Sequence, residues 1–399
     1  MSGVQEVPDV DIAVVGGGVV GRAIAYALRG RASLSVAVVE RCPRDRIENQ
    51  STRNSGVIHA GIYYKRAVRP LKARLCVDGN RMLYAFCAEH GVPHKQTGKL
   101  VVATDAREEE YLLDVLDTAR ENGVPDVRLI DGEEQRRLEP RIRSTRALYV
   151  PTSGVIDAGA FLAKLRQVSG SHDLFDTRVV AIRRVRDGFE LTTTTETFVA
   201  GAVVNAAGLY ADEIARMIDP ESPYRIMAVR GEAARFSTAA RDELALQGFN
   251  IYPTPHGFWR DTGRPALVGF AEFQQLLAQG LVTDTVGVHV TPTLEEDGQL
   301  ATTMTLSPAL VTGIAKDDFR STIPLEEYRA RVAGYLPGLR LEDLELHQTG
   351  IQGRLPGAQD WVIAPARDEP RFMNLVAIDS PGLTASLAIG EHVAEQLLG

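Results

Sequence analysis

Three glycines near the start of the chain have the spacing of a phosphate-binding turn. Gly16, Gly18 and Gly21 fit the pattern G-x-G-x-x-G. In this pattern the first glycine makes the tight turn, the second lets the backbone approach a pyrophosphate, and the third lets a helix pack closely on a strand. Glu40 follows about twenty residues later, where an acidic side chain accepts a hydrogen bond from a ribose hydroxyl. The pattern predicts a dinucleotide site and leaves both FAD and NAD open.

A second stretch, Gln50 to Lys65, is rich in groups that could contact a phosphate or a flat ring. Its first half carries hydroxyl and amide side chains, which could also cap a short helix. Gly56 and Gly61 allow the backbone to lie close to a ring, and His59 stands between them. The stretch therefore indicates a second segment of the same binding site.

The elements around the glycine turn have the order strand, turn, helix, strand. Ile12 to Val15 is a short apolar run, the residues after Gly21 favour a helix, and Val36 to Val39 is a second apolar run that ends at Glu40. Backbone N–H groups at the start of such a helix face a phosphate with the positive end of the helix dipole. This order is typical of a Rossmann-like unit.

Hydrophobic periodicity and turn residues predict the remaining elements. Asp187-Gly188 is a hairpin signal in a small antiparallel unit, and residues 251–255 predict an edge strand or an extended loop because they contain two prolines. Further helices are predicted at 84–94, 108–122, 131–140, 158–167, 210–217, 272–279, 328–335 and 385–398, and further strands at 99–104, 176–180, 189–194, 198–205, 287–291, 346–352, 361–364 and 372–378.

Composition bounds the class of protein. The 399 residues suffice for two or three domain-sized units, and the net charge of −8 includes no basic stripe, so nucleic acid is not an expected partner. Cys42, Cys76 and Cys87 have no metal-binding or disulfide spacing, and no metal site is predicted. The N-terminal residues lack the layout of a signal peptide, and no apolar run has the length of a membrane span. We therefore expect a cytoplasmic protein with at most peripheral membrane contact.

The segment Asn54 to Tyr64, NSGVIHAGIYY, resembles the flavin-proximal segment of the L-2-hydroxyglutarate dehydrogenase/oxidase family. That family consists of FAD-dependent enzymes of the D-amino-acid-oxidase-like superfamily. The resemblance implies FAD as the cofactor, and its matches are collinear over nearly the whole chain. Further matching segments lie at 71–73, 75–76, 205–210, 230–232, 287–292 and 380–390.

The resemblance also implies the domain organisation. A discontinuous Rossmann-like FAD-binding domain is expected from residues 1–85, 147–220 and 345–399, and a mixed-sheet substrate-binding domain from residues 86–146 and 221–344. The expected fold class is therefore α/β with an α+β substrate region. The residues expected to bind FAD are Gly16, Gly18, Gly21, Glu40, Arg41, Ser51, Thr52, Asn54, Ser55, Gly56, His59, Val180, Ala206, Ala207, Gly208, Gly350, Ser380, Pro381, Gly382, Leu383 and Thr384.

The chemistry implied by the resemblance is oxidation of a 2-hydroxy acid, with hydride leaving C2 while a base removes the hydroxyl proton. His59 and His289 are the candidate bases, because the pKa of histidine lies near the operating pH. His59 is alternatively a contact or covalent attachment point of the flavin. The substrate carboxylate is expected to bind Arg230 or tyrosine hydroxyls. For Arg230 the alternative is an ion pair to Glu232 or another acid. The expected substrate contacts are Tyr64, Arg230, Tyr252 and His289.

Two stretches depart from the family pattern, and both lie in the substrate half. Ser307 stands where relatives carry glycine, and residues 260–286 differ from the expected sequence. An amine or amino-acid oxidase, or a biosynthetic tailoring oxidase of the same superfamily, is therefore the alternative function. A flavin-binding protein without turnover is the alternative from a different class. Oxygen, a quinone and an electron-transfer protein are all left open as the electron acceptor.

Overall fold

The computed structural model describes residues 9–31, 33–44, 49–255, 257–261, 264–283 and 285–399. Its helices are α1 (Val19–Leu28), α2 (Pro70–His90), α3 (Ala106–Glu121), α4 (Gly132–Leu138), α5 (Ala158–Val168), α6 (Ala211–Ile218), α7 (Phe270–Ala278), α8 (Leu325–Val332) and α9 (Gly382–Leu398). Its strands are β1 (Val10–Val15), β2 (Val36–Val39), β3 (Val57–Ile58), β4 (His94–Lys95), β5 (Lys99–Ala103), β6 (Arg128–Asp131), β7 (Arg146–Val150), β8 (Gly154–Ile156), β9 (His172–Leu174), β10 (Val179–Val185), β11 (Gly188–Thr193), β12 (Thr197–Asn205), β13 (Met227–Ser237), β14 (Asn250–Pro253), β15 (His289–Leu294), β16 (Leu300–Val311), β17 (Glu345–Arg354), β18 (Val362–Ala366) and β19 (Glu369–Val376).

The first sheet is built around the N-terminal strand. Its strands follow the order β10-β11-β12-β1-β2-β9, and β19, which pairs with β18, also lies parallel to β12. β1 runs parallel to both β2 and β12, with Val15 in register with Val39 and Asn205. The carboxyl ends of the three strands therefore lie side by side. Their near-continuous apolar sequences reflect burial on both faces, because one face packs against Ile389 of α9 and the other against Ile214 of α6.

The second sheet follows the order β17-β13-β16-β15-β14-β5-β7-β6. One of its faces packs on α8 in a hydrophobic core that includes Leu100, Ile251, Val290 and Leu306. Successive residues of a strand point to opposite faces of the sheet. The neighbours of these core residues therefore point to the other face, and they include Lys99, Tyr252, His289 and Ser307.

The strand–turn–helix–strand unit at the N-terminus is confirmed, and so are the later helices and most strands, with shifts of a few residues at their ends. The largest difference is α2, which begins at Pro70 rather than near residue 84. Proline is compatible with the first turn of a helix. Gly79 then lies against α9, where an added Cβ would come within 2.5 Å of the Thr384 carbonyl oxygen. Packing of two helices thus explains a glycine that would otherwise weaken the helix.

Three local predictions were wrong. β14 is not an edge strand, because it pairs with β15 on one side and β5 on the other. Its proline, Pro253, is the last residue of the strand, where it does not interrupt the pairing. β10 begins at Val179, three residues later than predicted. The side chains expected to cap a short helix lie in turns at residues 50–55, where the Asn54 amide donates hydrogen bonds to the carbonyl oxygens of Gln50 and Ser51. The Ser51 hydroxyl instead accepts a hydrogen bond from the first residue of α1.

We propose that the two sheets correspond to the two predicted domains, with two changes of boundary. The first sheet uses residues from the predicted FAD-binding segments, and the second uses residues from the predicted substrate-binding segments. Two strands are exceptions. β17 pairs with β13 from Met227–Arg354 to Arg235–Glu345, and β7 pairs with β5 and β6 although residues 147–150 were expected in the FAD-binding domain. The sheet pairing therefore favours a boundary after β7 rather than at residue 147, and another after β17 rather than before it.

Candidate active site

The glycine turn lies at the carboxyl ends of β1, β2 and β12. Gly16 has a φ of 114°, and an added Cβ would lie 2.3 Å from the Ala206 carbonyl oxygen. An added Cβ at Gly21 would lie 2.0 Å from the Gly16 carbonyl oxygen, so α1 packs directly on the turn. The Glu40 carboxylate accepts hydrogen bonds from the main-chain N–H groups of Gly17, at 2.8 Å, and Cys42, at 2.9 Å. The carboxylate is thus fixed beside the turn.

The segment at 49–55 crosses in front of α1. The Ser51 hydroxyl accepts a hydrogen bond of 2.8 Å from the main-chain N–H of Val19, at the first residue of the helix. The side-chain amide nitrogen of Asn49 is buried and has no hydrogen-bond partner among the described residues. It lies 3.9 Å from the position of an added Cβ at Gly18. An unpaired donor beside a glycine turn suits a phosphate oxygen.

A cavity of about 1160 Å³ extends from this turn to the second sheet. Near the turn it is lined by the ends of β1, β2 and β12, and at its other end by β17 and the segment before α9. The residues of the predicted FAD set that line it are Gly16, Gly18, Glu40, Arg41, Ser51, Asn54, Ser55, His59, Val180, Ala206, Ala207, Gly208, Gly350, Ser380, Pro381, Gly382 and Leu383.

His59 follows β3 at the far end of the cavity. Its ring Nε2 lies 3.3 Å from the Ser380 hydroxyl, and its main-chain carbonyl accepts a hydrogen bond from the Asn80 amide. Burial lowers the pKa of His59 well below its usual value, and the positive charge of Lys99 lowers it further. The imidazole is therefore neutral at pH 7 and can accept a proton.

His289 lies on β15 and faces the same end of the cavity. Its ring stacks on the ring of Tyr252, with centroids 3.9 Å apart and an interplanar angle of 7°. Its Nδ1 lies 3.1 Å from the Thr291 hydroxyl, so Nε2 is the nitrogen left for proton exchange. Burial, Lys99 and His59, in that order, lower the pKa of His289 well below its usual value. Ser307 is its register partner on β16.

These features match those of known enzymes. The family described as FAD dependent oxidoreductase matches residues 11–396. The L-2-hydroxyglutarate dehydrogenase, mitochondrial, of Arabidopsis thaliana is 30% identical over 98% of this chain and 83% of its own length. The chain belongs to the L-2-hydroxyglutarate dehydrogenase family of FAD-dependent oxidoreductases. The L-2-hydroxyglutarate dehydrogenase of Escherichia coli (strain K12) is 26% identical over 97% of this chain and 93% of its own length.

Solved structures support the same fold for this family member. The L-alpha-glycerophosphate oxidase of Mycoplasma pneumoniae superposes with a TM-score of 0.79 at 23% identity and covers 97% of this chain and 94% of its own. The glycine oxidase of Geobacillus kaustophilus gives a TM-score of 0.76 at 20% identity, over 98% of this chain and 95% of its own. At these identities the likeness concerns the fold. The α/β fold with mixed sheets, predicted above, is confirmed.

FAD is the cofactor of this oxidoreductase, and the residues present fit it. Gly16 approaches the end of β12 too closely to carry a side chain, so the backbone of the turn is accessible to a pyrophosphate. The Glu40 carboxylate is held beside the turn, where it suits a ribose hydroxyl. The Asn49 side-chain amide has a hydrogen-bond donor without a partner among the described residues. The cavity continues past the turn for the remaining part of an elongated dinucleotide. The start of α9 forms part of its wall at Gly382.

Four members of the predicted FAD set do not line the cavity and instead support its walls. Gly21 packs α1 on the turn, as described above. Gly56 has a φ of 63°, and an added Cβ would lie 2.5 Å from a carbonyl oxygen of β8. The Thr384 hydroxyl accepts a hydrogen bond from the main-chain N–H of His59. The Thr52 hydroxyl donates to a carbonyl within its own turn. None of the four is retained as a direct contact.

Arg230 does not reach the cavity, contrary to the expectation that it binds a substrate carboxylate. Its side chain is 1% exposed and lies on the face of β13 opposite to Gly231, which lines the cavity. Its Nη2 lies 2.8 Å from the Glu232 carboxylate and its Nη1 lies 2.9 Å from the Asp318 carboxylate. Nη2 also donates to the Thr322 hydroxyl at 2.8 Å. The ion pair, which was the alternative, is what the structure shows.

Sequence reasoning missed two residues near the far end of the cavity, one in its lining and one behind the Tyr252 ring. Tyr63 lines it beside the expected Tyr64 and Tyr252, and the hydroxyls of Tyr63 and Tyr252 are buried without a hydrogen-bond partner among the described residues. Lys99, the first residue of β5, is 1% exposed, and its Nζ also has no hydrogen-bond partner among the described residues. In the sequence, Lys99 only precedes the apolar residues of the run KLVVA, a position that is typical of the polar end of an ordinary strand.

The described residues contain no group of three or more histidine, cysteine, aspartate or glutamate side chains arranged to hold a metal ion. Across the same residues, none of the helices combines the length and the apolar character that crossing a membrane requires.

Proposed function

We propose that this enzyme oxidises an L-2-hydroxy acid, L-2-hydroxyglutarate or a close analogue, to the 2-oxo acid. The observation that carries the proposal is the placement of two histidines, His59 and His289, at the end of the cavity away from the glycine turn. Burial lowers the pKa of both, so both imidazoles are neutral at pH 7. A base for a substrate hydroxyl must be neutral and within hydrogen-bond reach. The relatives named above as L-2-hydroxyglutarate dehydrogenases support the choice of substrate.

The residues that line the cavity are proposed to hold FAD, with the nucleotide near Glu40 and the reactive ring near Gly350 and Ser380. FAD, when bound, supplies the two-electron oxidant that takes the hydride from C2. The chain supplies the base. The Nε2 atom of His289 is available because Nδ1 contacts Thr291, and the Nε2 atom of His59 faces Ser380. The His59→Gln and His289→Gln variants assign the base, since loss of the base lowers kcat by about 10²- to 10⁴-fold.

Anaerobic bleaching of the bound flavin tests the proposal. L-2-Hydroxyglutarate is added to the FAD-loaded protein beside its D-enantiomer and a panel of other hydroxy and amino acids. The proposal expects fast bleaching by the L-hydroxy acid and slow or no bleaching by the others. Bleaching by an amine or amino acid alone would refute it and establish the alternative of an amine oxidase. A flavin that none of the compounds reduces would point to a binding protein without turnover.

For the electron acceptor we propose the three candidates named from the sequence, and for the location we propose the cytoplasm. Oxygen, a quinone analogue and an electron-transfer protein are offered in turn to the reduced enzyme, and the fastest reoxidation identifies the acceptor. Cell fractionation tests the predicted cytoplasmic location and any peripheral association with a membrane.

A further inference from the structure

A cluster of polar groups that the proposed proton transfer does not use lies at the far end of the cavity, where two of its members form part of the lining and the third packs behind them. We define this cluster as Tyr63, Lys99 and Tyr252. Their polar atoms, two phenol oxygens and one ammonium nitrogen, are all buried and have no hydrogen-bond partner among the described residues. Buried polar groups are nearly always paired in native proteins. Two phenols and an ammonium group without partners, on side chains that pack on one another, therefore indicate a ligand that accepts hydrogen bonds.

Geometry ties the three side chains to each other and to the candidate base. The rings of Tyr63 and Tyr252 are stacked with centroids 6.5 Å apart and an interplanar angle of 24°. The Lys99 Nζ lies 3.7 Å from the centroid of the Tyr252 ring and 5.6 Å from that of Tyr63. Since β5 and β15 flank β14 on opposite sides, Lys99 and His289 contact opposite faces of the Tyr252 ring.

The charge around Lys99 is unbalanced. No carboxylate of the described residues forms an ion pair with it, and the titratable groups that surround it are His59, Cys76 and His289, together with the two phenols. An unpaired cation in a buried site is costly unless an anion enters. The cation–π contact with Tyr252 offsets part of this cost and leaves the field of the charge uncancelled.

We propose that the Tyr63–Lys99–Tyr252 cluster is the carboxylate-binding site of the substrate cavity, in the role first expected of Arg230. The two phenol hydroxyls donate hydrogen bonds to the carboxylate, and Lys99 supplies the counter-charge from behind the Tyr252 ring. The inference rests on the proposed function in that it assumes an anionic substrate. Lys99 is a positioning residue, because it acts through Tyr252.

The cluster makes anion binding dependent on pH in a defined direction. Burial lowers the pKa of Lys99 to about 7, and the nearby Cys76 opposes this shift. The cationic form attracts the carboxylate, so affinity is full below about pH 7 and falls as pH rises above it. The surrounding groups do not titrate in this range, because burial lowers the pKa of His59 and His289 and raises the pKa of Cys76 to about 12.

The test is a titration of the FAD-loaded protein with glutarate, monitored by the perturbation of the flavin absorbance between about pH 6 and about pH 9. Glutarate carries two carboxylates and no hydroxyl, so it binds without being oxidised. In the wild type we expect the dissociation constant to rise with pH above about 7. In Lys99→Met we expect binding at least about tenfold weaker at pH 6, and independent of pH. Lys99→Arg restores binding without the pH dependence.

Three controls separate a binding role from a structural one. Lys95→Met removes a lysine outside the cluster, whose Nζ contacts the Gln299 side chain, and should leave binding unchanged. Tyr63→Phe and Tyr252→Phe remove one hydroxyl each and should weaken binding with kcat for L-2-hydroxyglutarate less affected than KM. The melting temperature of Lys99→Met should equal or exceed that of the wild type, since an unpaired buried charge is replaced by an apolar chain.

Three results would overturn the inference. These are glutarate binding by Lys99→Met with wild-type affinity, a wild-type dissociation constant that does not change with pH, and no glutarate binding to the wild type. A lower melting temperature of Lys99→Met with unchanged affinity would assign Lys99 a structural role. If no hydroxy acid bleaches the flavin while glutarate binding depends on Lys99, the proposed reaction fails and the anion site stands. If L-2-hydroxyglutarate bleaches the flavin equally well in Lys99→Met, with an unchanged KM, the reaction stands and the anion site fails.

Discussion

Replacement of Arg230 by methionine should destabilise the fold and leave substrate binding almost unchanged. The guanidinium lies 2.8 Å from the Glu232 carboxylate and 2.9 Å from that of Asp318, and the side chains of Arg230 and Glu232 are each 1% exposed. These contacts place the charge centres of Arg230 and Glu232 about 4 Å apart, where the attraction at an effective dielectric constant of about 20 is about 4 kcal/mol. Loss of one partner of a buried pair costs about 3–5 kcal/mol.

The Glu232 carboxylate has further partners that keep the loss within this range. It accepts hydrogen bonds from the main-chain N–H groups of Thr322, at 2.7 Å, and Ile323, at 2.9 Å. Burial alone would raise the pKa of Glu232, but these hydrogen bonds and that of Arg230 lower it below its usual value. The double variant Arg230→Met/Glu232→Gln should therefore recover part of the lost stability, because it removes the unpaired charge.

The measurement is the free energy of unfolding from a urea titration of the FAD-loaded protein, paired with KM for L-2-hydroxyglutarate. Arg235→Met is the matched control, because Arg235 lies on the same strand in an exposed pair with Glu345 at 2.8 Å. A surface pair of this kind contributes less than about 1 kcal/mol. If Arg230→Met kept wild-type stability and raised KM more than about tenfold, the guanidinium would have to contact the substrate, and the structural assignment would be refuted.

Two further predictions concern the cofactor and the base. Gly21→Ala should yield protein with little bound FAD, since the added Cβ would lie 2.0 Å from the Gly16 carbonyl oxygen. Gly334→Ala is the control and should bind FAD normally, because its added Cβ has no atom within 4 Å. The ratio of flavin to protein absorbance measures FAD binding in both variants. Burial lowers the pKa of His59 and of His289, so kcat/KM should not decline as pH falls through about 6.5 and should decline only at lower pH. An acidic limb centred near the usual histidine pKa would contradict this.

The cofactor half of the site could be predicted because its signals are local. Gly16, Gly18, Gly21 and Glu40 lie on one strand–turn–helix–strand unit, so their spacing along the chain fixes their spacing in space. The same holds for Gly382, which stands at the start of a terminal helix. Each of these residues serves through its backbone or its place at a strand end, which sequence patterns report directly.

The substrate half could not be predicted in the same way, because it depends on pairing between distant strands. Lys99 meets Tyr252 only because β5 pairs with β14, and β14 itself was expected at an edge of the sheet. For Arg230 the sequence offered a substrate contact and an ion pair to Glu232, two residues away. Period-two alternation puts both side chains on one face of β13, but which face looks into the cavity is a property of the whole sheet.

The arrangement around Tyr252 answers two demands that conflict. Oxidation of a hydroxy acid needs a neutral base, while recognition of its carboxylate needs a positive charge close by. Lys99 lies on one face of the Tyr252 ring and His289 on the other, so the ring separates the cation from the imidazole. The charge is near enough to lower the pKa of His289 and, under our proposal, to attract the carboxylate. A cation in direct contact with the base would oppose protonation of the imidazole more strongly, and one further away would leave the carboxylate without a counter-charge.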